Sequence, residues 1–426
     1  MTTPRPRVAI IGTGIAGLGA ARALAGEADL TLLEAGPRPG GHVHTVTVDG
    51  PRGPVAVDMG FIVFSRPSYP RFTAMLDDLG VASRATAMSF SVALPDGRDR
   101  FEWASATPGG WFAQRRRVLS ARHWRFLAAV ATFLGHGRRD LHTDVVRRAS
   151  LDEYLALRRV PADVRDRFVV PLAAALWSLA PARCGEFPAA TYLGFLDHHG
   201  MLRTTRPHPW RTVQGGSRTY VDALLARLGL AVELDTRVDA LHRDRHGVTL
   251  VVGGRERRFD RAIVATHADT ALAMIAAPTA DERAVLGAFG YSPNRTVLHG
   301  DSSFMPRARA AWASWNYTAN DLAGVDDDRV AVTYWMNRLQ GLPGPDPYLV
   351  TLNPGRTPTR VHADVAFTHP QFDRAALDAQ GRLAAIQGPA RCYFAGAYAR
   401  FGFHEDGLRA GEDAAARLLA DEGAAR

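Results

Sequence analysis

Lysine is absent from the sequence, so all 51 basic residues are arginine. This absence excludes a Schiff-base lysine, a P-loop lysine and a lysine that holds water beside a cofactor. Cysteine is scarce as well, because Cys184 and Cys392 are the only two and form no metal-binding or redox spacing. We expect both to be buried small side chains without a structural disulfide, and we assign no residue to a metal.

Long apolar runs are also missing. The N-terminal sequence MTTPRPRVAI lacks the apolar core of a signal peptide. The longest apolar segment, Phe168 to Ala180, contains Pro171 and is too short to span a bilayer. We therefore expect a cytoplasmic protein, and its 426 residues suggest about two domains.

The formal charge of +8 is concentrated in one stretch, because residues 108–148 contain nine arginines and only two aspartates. Within it, Trp111 to Arg139 mixes arginine with tryptophan and phenylalanine, and Leu127, Val130, Ala131 and Leu134 follow helical spacing. Nucleic-acid binding is disfavoured because no recognition motif accompanies the charge. Two interpretations remain: a solvated helical face, or a surface that docks on anionic lipid at the inner face of the membrane.

Residues 7–34 form the most informative stretch, RVAIIGTGIAGLGAARALAGEADLTLLE. An apolar run enters a GxGxxG turn, a helical segment follows, and a second apolar run ends in an acid. The glycines allow a tight turn, approach of a pyrophosphate and close helix–strand packing, and the acid takes ribose hydroxyls. We assign this dinucleotide site to Gly12, Gly14, Ile15, Ala16, Gly17, Glu34 and Ala35.

Strand and helix patterns alternate along the chain in a way that predicts interleaved domains. A nucleotide-binding domain is expected from residues 1–85, 212–285 and 385–426. A substrate domain is expected from residues 86–211 and 286–384, with a helical cap at about 115–205. The fold class is α/β: a Rossmann-like, three-piece domain with a parallel sheet and an inserted α+β domain.

Several motifs resemble those of flavoproteins of the amine oxidase and phytoene desaturase class. Glu34 followed by Gly40-Gly41-His42 resembles the ExxxxxGG(R/H) motif, and the segment from Phe394 to Gly411 resembles the closing FAG…G…EDGLxxG. PLAAALWSLAP, PWRTVQGGS, YWMNRLQ and GFHEDG resemble a bacterial branch found beside cyclopropane-fatty-acid-synthase-like methyltransferases. The resemblance implies FAD, redox chemistry on an apolar substrate and a lipid methyltransferase as a partner.

The resemblance also assigns roles to individual residues. Gly40 and Gly41 would approach the ribityl chain and phosphate, Val238 would contact the adenine, and the final helix would point its N-terminus at the flavin's pyrimidine edge. The further cofactor-binding positions are His42, Gly60, Gly396, Glu405, Asp406, Gly407 and Leu408. His42 shapes the loop near the pyrophosphate or carries a covalent flavin.

His404 stands where amine oxidases carry an aromatic side chain beside the flavin. It is our candidate general acid or base, because an unperturbed histidine has a pKa close to 7; the alternative is a histidine that only hydrogen-bonds. His198 and His199 are weaker candidates. Aromatic residues at 315, 317, 334 and 335 line an apolar tunnel or belong to the core.

The leading hypothesis is an FAD-dependent oxidoreductase that moves hydride between a fatty acyl chain and flavin N5, in free or phospholipid-bound form. Desaturation, including that of a methyl-branched chain, is the first choice, and a redox-neutral double-bond isomerisation uses the same parts. The other hypotheses are a flavin amine oxidase and a non-catalytic flavin-bound partner of a lipid methyltransferase. Since only one GxGxxG fingerprint is present, direct reduction by NAD(P)H is disfavoured.

Overall fold

The computed structural model describes residues 5–97, 99–203, 208–318 and 331–424. The strands of these residues are, in chain order, β1 Arg7–Ile11, β2 Asp29–Leu33, β3 Thr45–Gly50, β4 Gly53–Asp58, β5 Phe64–Ser65, β6 Ser83–Thr86, β7 Phe90–Asp96, β8 Asp99–Ala104, β9 Trp210–Val213, β10 Val232–Glu233, β11 Ala240–Asp244, β12 Gly247–Val252, β13 Arg255–Phe259, β14 Arg261–Val264, β15 Gly290–His299, β16 Trp315–Thr318, β17 Val332–Trp335, β18 Leu349–Leu352, β19 Val361–Gln371 and β20 Cys392–Phe394.

The α-helices are α1 Ile15–Leu24, α2 Pro70–Leu79, α3 Pro108–Trp111, α4 Ala121–Asp140, α5 Asp144–Arg148, α6 Leu151–Leu157, α7 Ala162–Val164, α8 Val170–Trp177, α9 Ala189–His198, α10 Arg218–Leu228, α11 Ala268–Met274, α12 Ala280–Leu286, α13 Met336–Gln340, α14 Arg374–Gln380 and α15 His404–Ala424. A π-helical turn, Arg165–Val169, joins α7 to α8. Short 3₁₀ turns occupy Arg115–Leu119, Pro181–Glu186 and Ala397–Ala399, among others. In the part of the chain that the structure describes, no helix has the length and apolar character that crossing a membrane requires.

A parallel five-stranded sheet has the order β10-β2-β1-β14-β20. Its strands come from three separated segments of the chain. Apolar residues of β1 face both ways: Val8 and Ile10 pack in one buried cluster with α1 and α15, and Ala9 and Ile11 pack in another with β11 and β12. Because the carboxyl ends of parallel strands share one edge, a ligand site is expected outside that edge.

A second, seven-stranded sheet has the order β19-β15-β18-β17-β16-β7-β8. It is antiparallel except where β16 pairs with β7, Trp315 opposite Phe90. Its β7–β8 end packs against α4 to α9 through a large core that includes Phe101, Phe133 and Tyr192. This sheet and the helices together form the mixed α/β fold with a helical region over the site.

The structure matches many sequence-based boundaries. The sequence pattern predicts helices at Leu151–Leu157, Ala189–His198 and Arg218–Leu228 and a strand at Arg261–Val264, and the structure has all four elements with these bounds. The pattern also predicts strands at Val55 to Phe64, Ala231 to Thr236 and Val330 to Met336. In the structure the first ends at Asp58 and the second shortens to β10. Of the third, Val330 lies outside the described residues and Met336 begins α13.

The sequence places Leu127, Val130, Ala131 and Leu134 on the buried face of α4, and this prediction is wrong in part. Ala131 is exposed, whereas Phe126, Val130 and Phe133 are buried together with His123. The reason is an aromatic contact across elements, because the Phe126 ring lies 5.3 Å from Phe101 and thereby sets which side of the helix faces the core.

Candidate functional site

The carboxyl edge of the parallel sheet carries a cradle made of backbone. Gly12 turns with φ +95°, and a Cβ there would lie 2.7 Å from the carbonyl oxygen of Ala265. Gly41 approaches the α1 N-terminus so closely that a Cβ on it would lie 3.1 Å from Cα of Gly14. Gly14 caps α1 without any side-chain hydrogen bond, so the first N–H groups of this helix remain available to an anion.

Glu34 closes the side of this cradle. Its carboxylate accepts hydrogen bonds from the backbone N–H and the hydroxyl of Thr13, at 3.0 and 2.6 Å, and from the backbone N–H of Gly36 at 2.9 Å. These bonds orient the carboxylate at the end of β2. Thr13 was not among the predicted site residues, although its place inside the GxGxxG turn is the signal that could have identified it.

A cavity of about 640 Å³ extends from the cradle into the helical region. Of the predicted cofactor-binding residues, it is lined by Gly12, Gly14, Ile15, Ala16, Glu34, Ala35, Gly40, Gly41, His42, Gly60, Gly396 and Gly407, together with His404. Among its lining residues only Glu34 carries a formal charge at neutral pH. A charged substrate group would therefore find no opposite charge elsewhere in the described lining.

The end of the cavity under the helical region is aromatic and aliphatic. Its walls include Trp177 and Phe195, whose rings lie 5.1 Å apart, and Phe403, stacked 4.5 Å from Phe195. Trp315 and Tyr334 line the cavity too, whereas Tyr317 belongs to the buried core. Part of the predicted apolar tunnel is therefore present, and the residues of the helical wall were missed because their spacing shows only ordinary helices.

A group of histidines forms the opposite wall. His42 stacks on Phe367 with ring centroids 4.9 Å apart and lies 5.4 Å from His369 and 6.1 Å from His267. Burial lowers the pKa of His42 well below its usual value, with smaller contributions from the two other rings. Burial also lowers the pKa of His369, to about 4. The pKa of His267 is lowered by burial as well. The group is therefore neutral at pH 7.

Three polar atoms of this cavity have no hydrogen-bond partner among the described residues: Nε2 of His42, the Thr296 hydroxyl and the Tyr398 hydroxyl. Buried polar atoms are nearly always paired in proteins, so unpaired ones in a cavity wall point to a bound molecule. Tyr398 and Thr296 were missed by the sequence analysis, because nothing in their local spacing distinguishes them from core residues.

His404 does not have the pKa near 7 that the sequence suggested. Its ring stacks on Phe61 with centroids 3.7 Å apart, and its Nε2 shares a hydrogen bond of 2.7 Å with the Tyr220 hydroxyl. Burial lowers its pKa to about 3, and burial raises that of Tyr220 far above its usual value. His404 is therefore a neutral wall of the cavity, and its hydrogen-bond partner is Tyr220.

Several predicted cofactor residues do not line the cavity. Both carboxylate oxygens of Glu405 accept backbone N–H groups of α2, from Arg71 and Phe72, each at 2.9 Å. Asp406 accepts the backbone N–H of Phe403 at 3.0 Å. The carboxylates therefore cap helices, which leaves only the backbone of these residues to face a ligand.

Three further predicted cofactor residues, Gly17, Leu408 and Val238, pack against other parts of the chain and do not line the cavity. A Cβ on Gly17 would lie 1.9 Å from the Gly12 carbonyl oxygen. Leu408 and Val238 are buried in two different cores. The chain just before Val238 still borders the cradle, because the N–H of Thr236 donates to the Glu34 carbonyl oxygen at 2.8 Å.

Of the two weaker histidine candidates, His199 lines the cavity and His198 does not. His199 lines the cavity, donates from Nδ1 to the Phe195 carbonyl oxygen at 3.0 Å, and has its pKa lowered to about 3 by burial. His198 instead bonds the Ser68 carbonyl oxygen and does not line the cavity. Within the ranges described, no three metal-binding side chains are grouped so that they could hold an ion.

Residues 15–299, about two thirds of the chain, match the family of flavin containing amine oxidoreductases. Solved structures with the same fold include a CLA-producing fatty acid isomerase from P. acnes, with 18% identity and a TM-score of 0.69 over 98% of this chain and 99% of that one. Cyclohexylamine oxidase from Brevibacterium oxydans IH-35A has 17% identity and a TM-score of 0.69 over 99% and 100%.

A putrescine oxidase bound to putrescine matches with 15% identity and a TM-score of 0.66 over 98% of this chain and 99% of that one. At these identities the three structures establish a shared architecture over the whole chain. They differ in what they act on, so the substrate has to be argued from the cavity itself.

Proposed function

The chain belongs to the family of flavin-containing amine oxidoreductases and is an FAD-dependent oxidoreductase, and we propose that it transfers hydride to and from an unsaturated fatty acyl chain. The observation that carries the proposal is the cavity lining beyond the cradle, which is aromatic, aliphatic or neutral throughout the described residues. An acyl chain gains free energy from such a surface, about 0.8 kcal/mol per buried methylene group.

The residues present fit FAD. The uncapped N-terminus of α1 and the facing backbones of Gly14 and Gly41 would hold the pyrophosphate, and Glu34 would hold the adenosine ribose. The unpaired polar atoms of His42, Thr296 and Tyr398 are available to the rest of the cofactor. When bound, FAD supplies the hydride acceptor.

The protein's own contribution is enclosure of the reacting carbon atoms. Trp177, Phe195 and Phe403 exclude water from that end of the cavity, which protects a carbocation left by loss of hydride. His404, held neutral by burial and bonded to Tyr220, acts as a flat wall and transfers no proton at neutral pH.

The neutral histidines favour isomerisation over desaturation, which the sequence analysis placed first. Desaturation removes a hydride from one carbon and a proton from its neighbour, so it needs a base for that proton. His42, His199 and His369 have lowered pKa values and are weak proton acceptors. An isomerisation takes hydride from an allylic carbon and returns it to the far end of the allyl cation, so the double bond moves and no proton acceptor is required.

Two further arguments support an acyl substrate. The motifs PLAAALWSLAP and PWRTVQGGS resemble those of a branch found beside cyclopropane-fatty-acid-synthase-like methyltransferases, and this resemblance supports a lipid substrate. The CLA-producing fatty acid isomerase shares this fold, so the architecture is compatible with an acyl substrate. A charged ammonium group is disfavoured because Glu34 is the one carboxylate among the described lining residues, and it is engaged by Thr13.

The deciding experiment mixes the flavin-loaded protein anaerobically with unsaturated fatty acids, unsaturated phospholipids, their methyl-branched derivatives and amines, while the flavin absorption is recorded. We expect a shifted double bond by mass spectrometry of the lipid, without lasting bleaching of the flavin. Lasting bleaching with loss of two hydrogens would show a desaturase. Bleaching with amines alone would overturn the acyl substrate, and no reaction with any compound would favour the non-catalytic partner.

A matched pair of variants tests the lining. Leu176 lines the cavity and is partly exposed to it. Leu176→Asp introduces a charge that an acyl chain cannot solvate, and we expect at least a tenfold loss of lipid turnover with FAD still bound. Leu176→Met keeps the volume and polarity and should retain turnover. Equal activity of both variants would show that the substrate lies elsewhere.

A further inference from the structure

Residues Trp111–Arg125, here called the Trp111–Arg125 surface, form an unusually apolar exterior. The side chains of Trp111, Val118, Leu119 and Trp124 are 40%, 46%, 92% and 52% exposed. They make up half of the large apolar side chains that are exposed in the described residues. Scattered exposed apolar residues are ordinary, whereas several within 14 positions mark an interaction site.

The exposed indoles are held in place by the backbone. Nε1 of Trp124 donates to the Val118 carbonyl oxygen at 2.8 Å, and Nε1 of Trp111 donates to the Ser105 carbonyl oxygen at 2.9 Å. The Trp124 ring also packs 4.9 Å from Phe112. Since the N–H groups are already paired, the exposed ring faces can be covered by apolar groups without a lost hydrogen bond.

Leu119 ends the 3₁₀ turn Arg115–Leu119 at the most exposed position of this surface. With 92% exposure, the Leu119 side chain is almost uncovered by the other described residues. Its transfer from water into an apolar phase is favourable by roughly 1.5–3 kcal/mol.

The charged residues within this stretch of the chain are all positive. Residues 109–139 contain seven arginines and neither aspartate nor glutamate. Arg116 and Arg122 are paired with Asp99 and Asp163, but Arg115 and Arg125 are exposed and form no ion pair with another described residue. The surface therefore combines apolar side chains with uncompensated positive charge, which complements an anionic, apolar phase.

We propose that the Trp111–Arg125 surface docks the protein on an anionic phospholipid bilayer, with Leu119 and the two indoles in the interface and Arg115 and Arg125 on the headgroups. The proposal stands apart from the acyl-chain substrate, because it rests on the exterior of the molecule.

Arg117 belongs to the same surface stretch but makes structural contacts inside the protein. Arg117 is half-buried, bonds Asp96 at 3.0 Å and lies 5.0 Å from the ring centroid of Phe101. Replacing it would disturb β7 and β8 rather than test docking. The test therefore leaves Arg117 unchanged.

The experiment measures flotation of the flavin-loaded protein with vesicles of equimolar phosphatidylcholine and phosphatidylglycerol, and with vesicles of phosphatidylcholine alone. We expect binding to the anionic vesicles that weakens with added salt. Leu119→Ser should weaken that binding about tenfold or more, as loss of one buried leucine implies. Arg115→Glu combined with Arg125→Glu should weaken it at least as much.

Two control variants change equivalent residues elsewhere. Leu157→Ser replaces another exposed leucine, 55% accessible, and Arg52→Glu reverses an exposed arginine outside this surface. Both should bind vesicles like the wild type, and every variant should keep its FAD and its melting temperature.

Three results would overturn the proposal. These are failure of the wild type to float with either vesicle, flotation of the two surface variants like the wild type, and loss of binding by all variants together, controls included. Self-association in the absence of lipid, lost in Leu119→Ser, would instead make this surface an interface between two copies. None of these results depends on whether lipid is turned over, so a failure of docking is distinguishable from a failure of the proposed reaction.

Discussion

Gly14 and Gly17 belong to one GxGxxG motif, but a different physical reason requires glycine at each position. A Cβ on Gly17 would meet the Gly12 carbonyl oxygen at 1.9 Å, so its constraint is the packing of α1 on β1. Gly14 has φ −62° and ψ 177°, which any residue adopts, and a Cβ there would meet nothing within 4 Å. Its constraint comes from the ligand rather than the chain, because the space before it is where a pyrophosphate would lie.

Gly14→Ala is therefore expected to fold normally and to bind FAD at least tenfold more weakly. The measurements are the melting temperature of the flavin-free protein and the dissociation constant of FAD from fluorescence quenching. Gly135→Ala, an open position on α4, is the control and should change neither the melting temperature by much nor the affinity. A Gly14→Ala protein that retains FAD at full affinity would contradict the cradle.

His404 shows what spacing cannot predict about a residue. The sequence places it at the last helix and suggests a pKa near 7, whereas the fold buries it between Phe61 and the Tyr220 hydroxyl and lowers its pKa to about 3. We expect no ionisation of His404 between about pH 5 and 8, since that window lies above its pKa. The check is the pH profile of flavin reduction in the wild type and in His404→Gln. A step near pH 6.5 that disappears in the variant would contradict the assignment.

At the scale of elements, α15 stabilises α2 directly. Tyr69 caps α2 without a side-chain hydrogen bond, and the Glu405 carboxylate accepts the N–H groups of Arg71 and Phe72 instead. Glu405→Ala leaves both groups without an acceptor and should lower the free energy of unfolding by about 1–2 kcal/mol. Glu405→Gln retains one acceptor and should lose less. Urea unfolding measures both; Glu27→Ala, at an exposed acid without an ion pair among the described residues, is the control.

The local sequence was sufficient to predict those helices and turns whose pattern of residues lies within one segment. The Gly-rich turn with α1, and the helices α6, α9 and α10, follow from spacing and turn residues, and their observed bounds agree. The parallel pairing of β16 with β7 was not predictable, because Trp315 and Phe90 are brought together by tertiary packing alone. The cavity walls share this limit: Trp177, Tyr398 and His369 come from distant segments, and nothing near each one indicates the others.

At the scale of the whole molecule, buried neutral histidines make the fold sensitive to acid. Burial lowers the pKa of His299 and His369 to about 4 and that of His199 and His404 to about 3. The folded pKa lies below the unfolded value of 6.5, so each histidine contributes stability that is fully present above pH 6.5 and is lost as the pH falls toward the folded pKa. Asp58 and Asp406 have the opposite effect on stability. Burial raises the pKa of each to about 6, so their contribution to the free energy of unfolding increases as the pH falls.

Because the histidines outnumber these two carboxyl groups, we expect the free energy of unfolding to fall steadily between about pH 6.5 and 4. His299 isolates one contribution: it lies outside the cavity, donates to the Thr351 hydroxyl at 2.8 Å and accepts the N–H of Asp301 at 3.1 Å. His299→Gln, which does not titrate, should reduce the slope by about 1.4 kcal/mol per pH unit in that range. Urea unfolding at several pH values measures the slope, and exposed His142→Gln is the control. An unchanged slope in His299→Gln would show that His299 is already protonated in the folded protein.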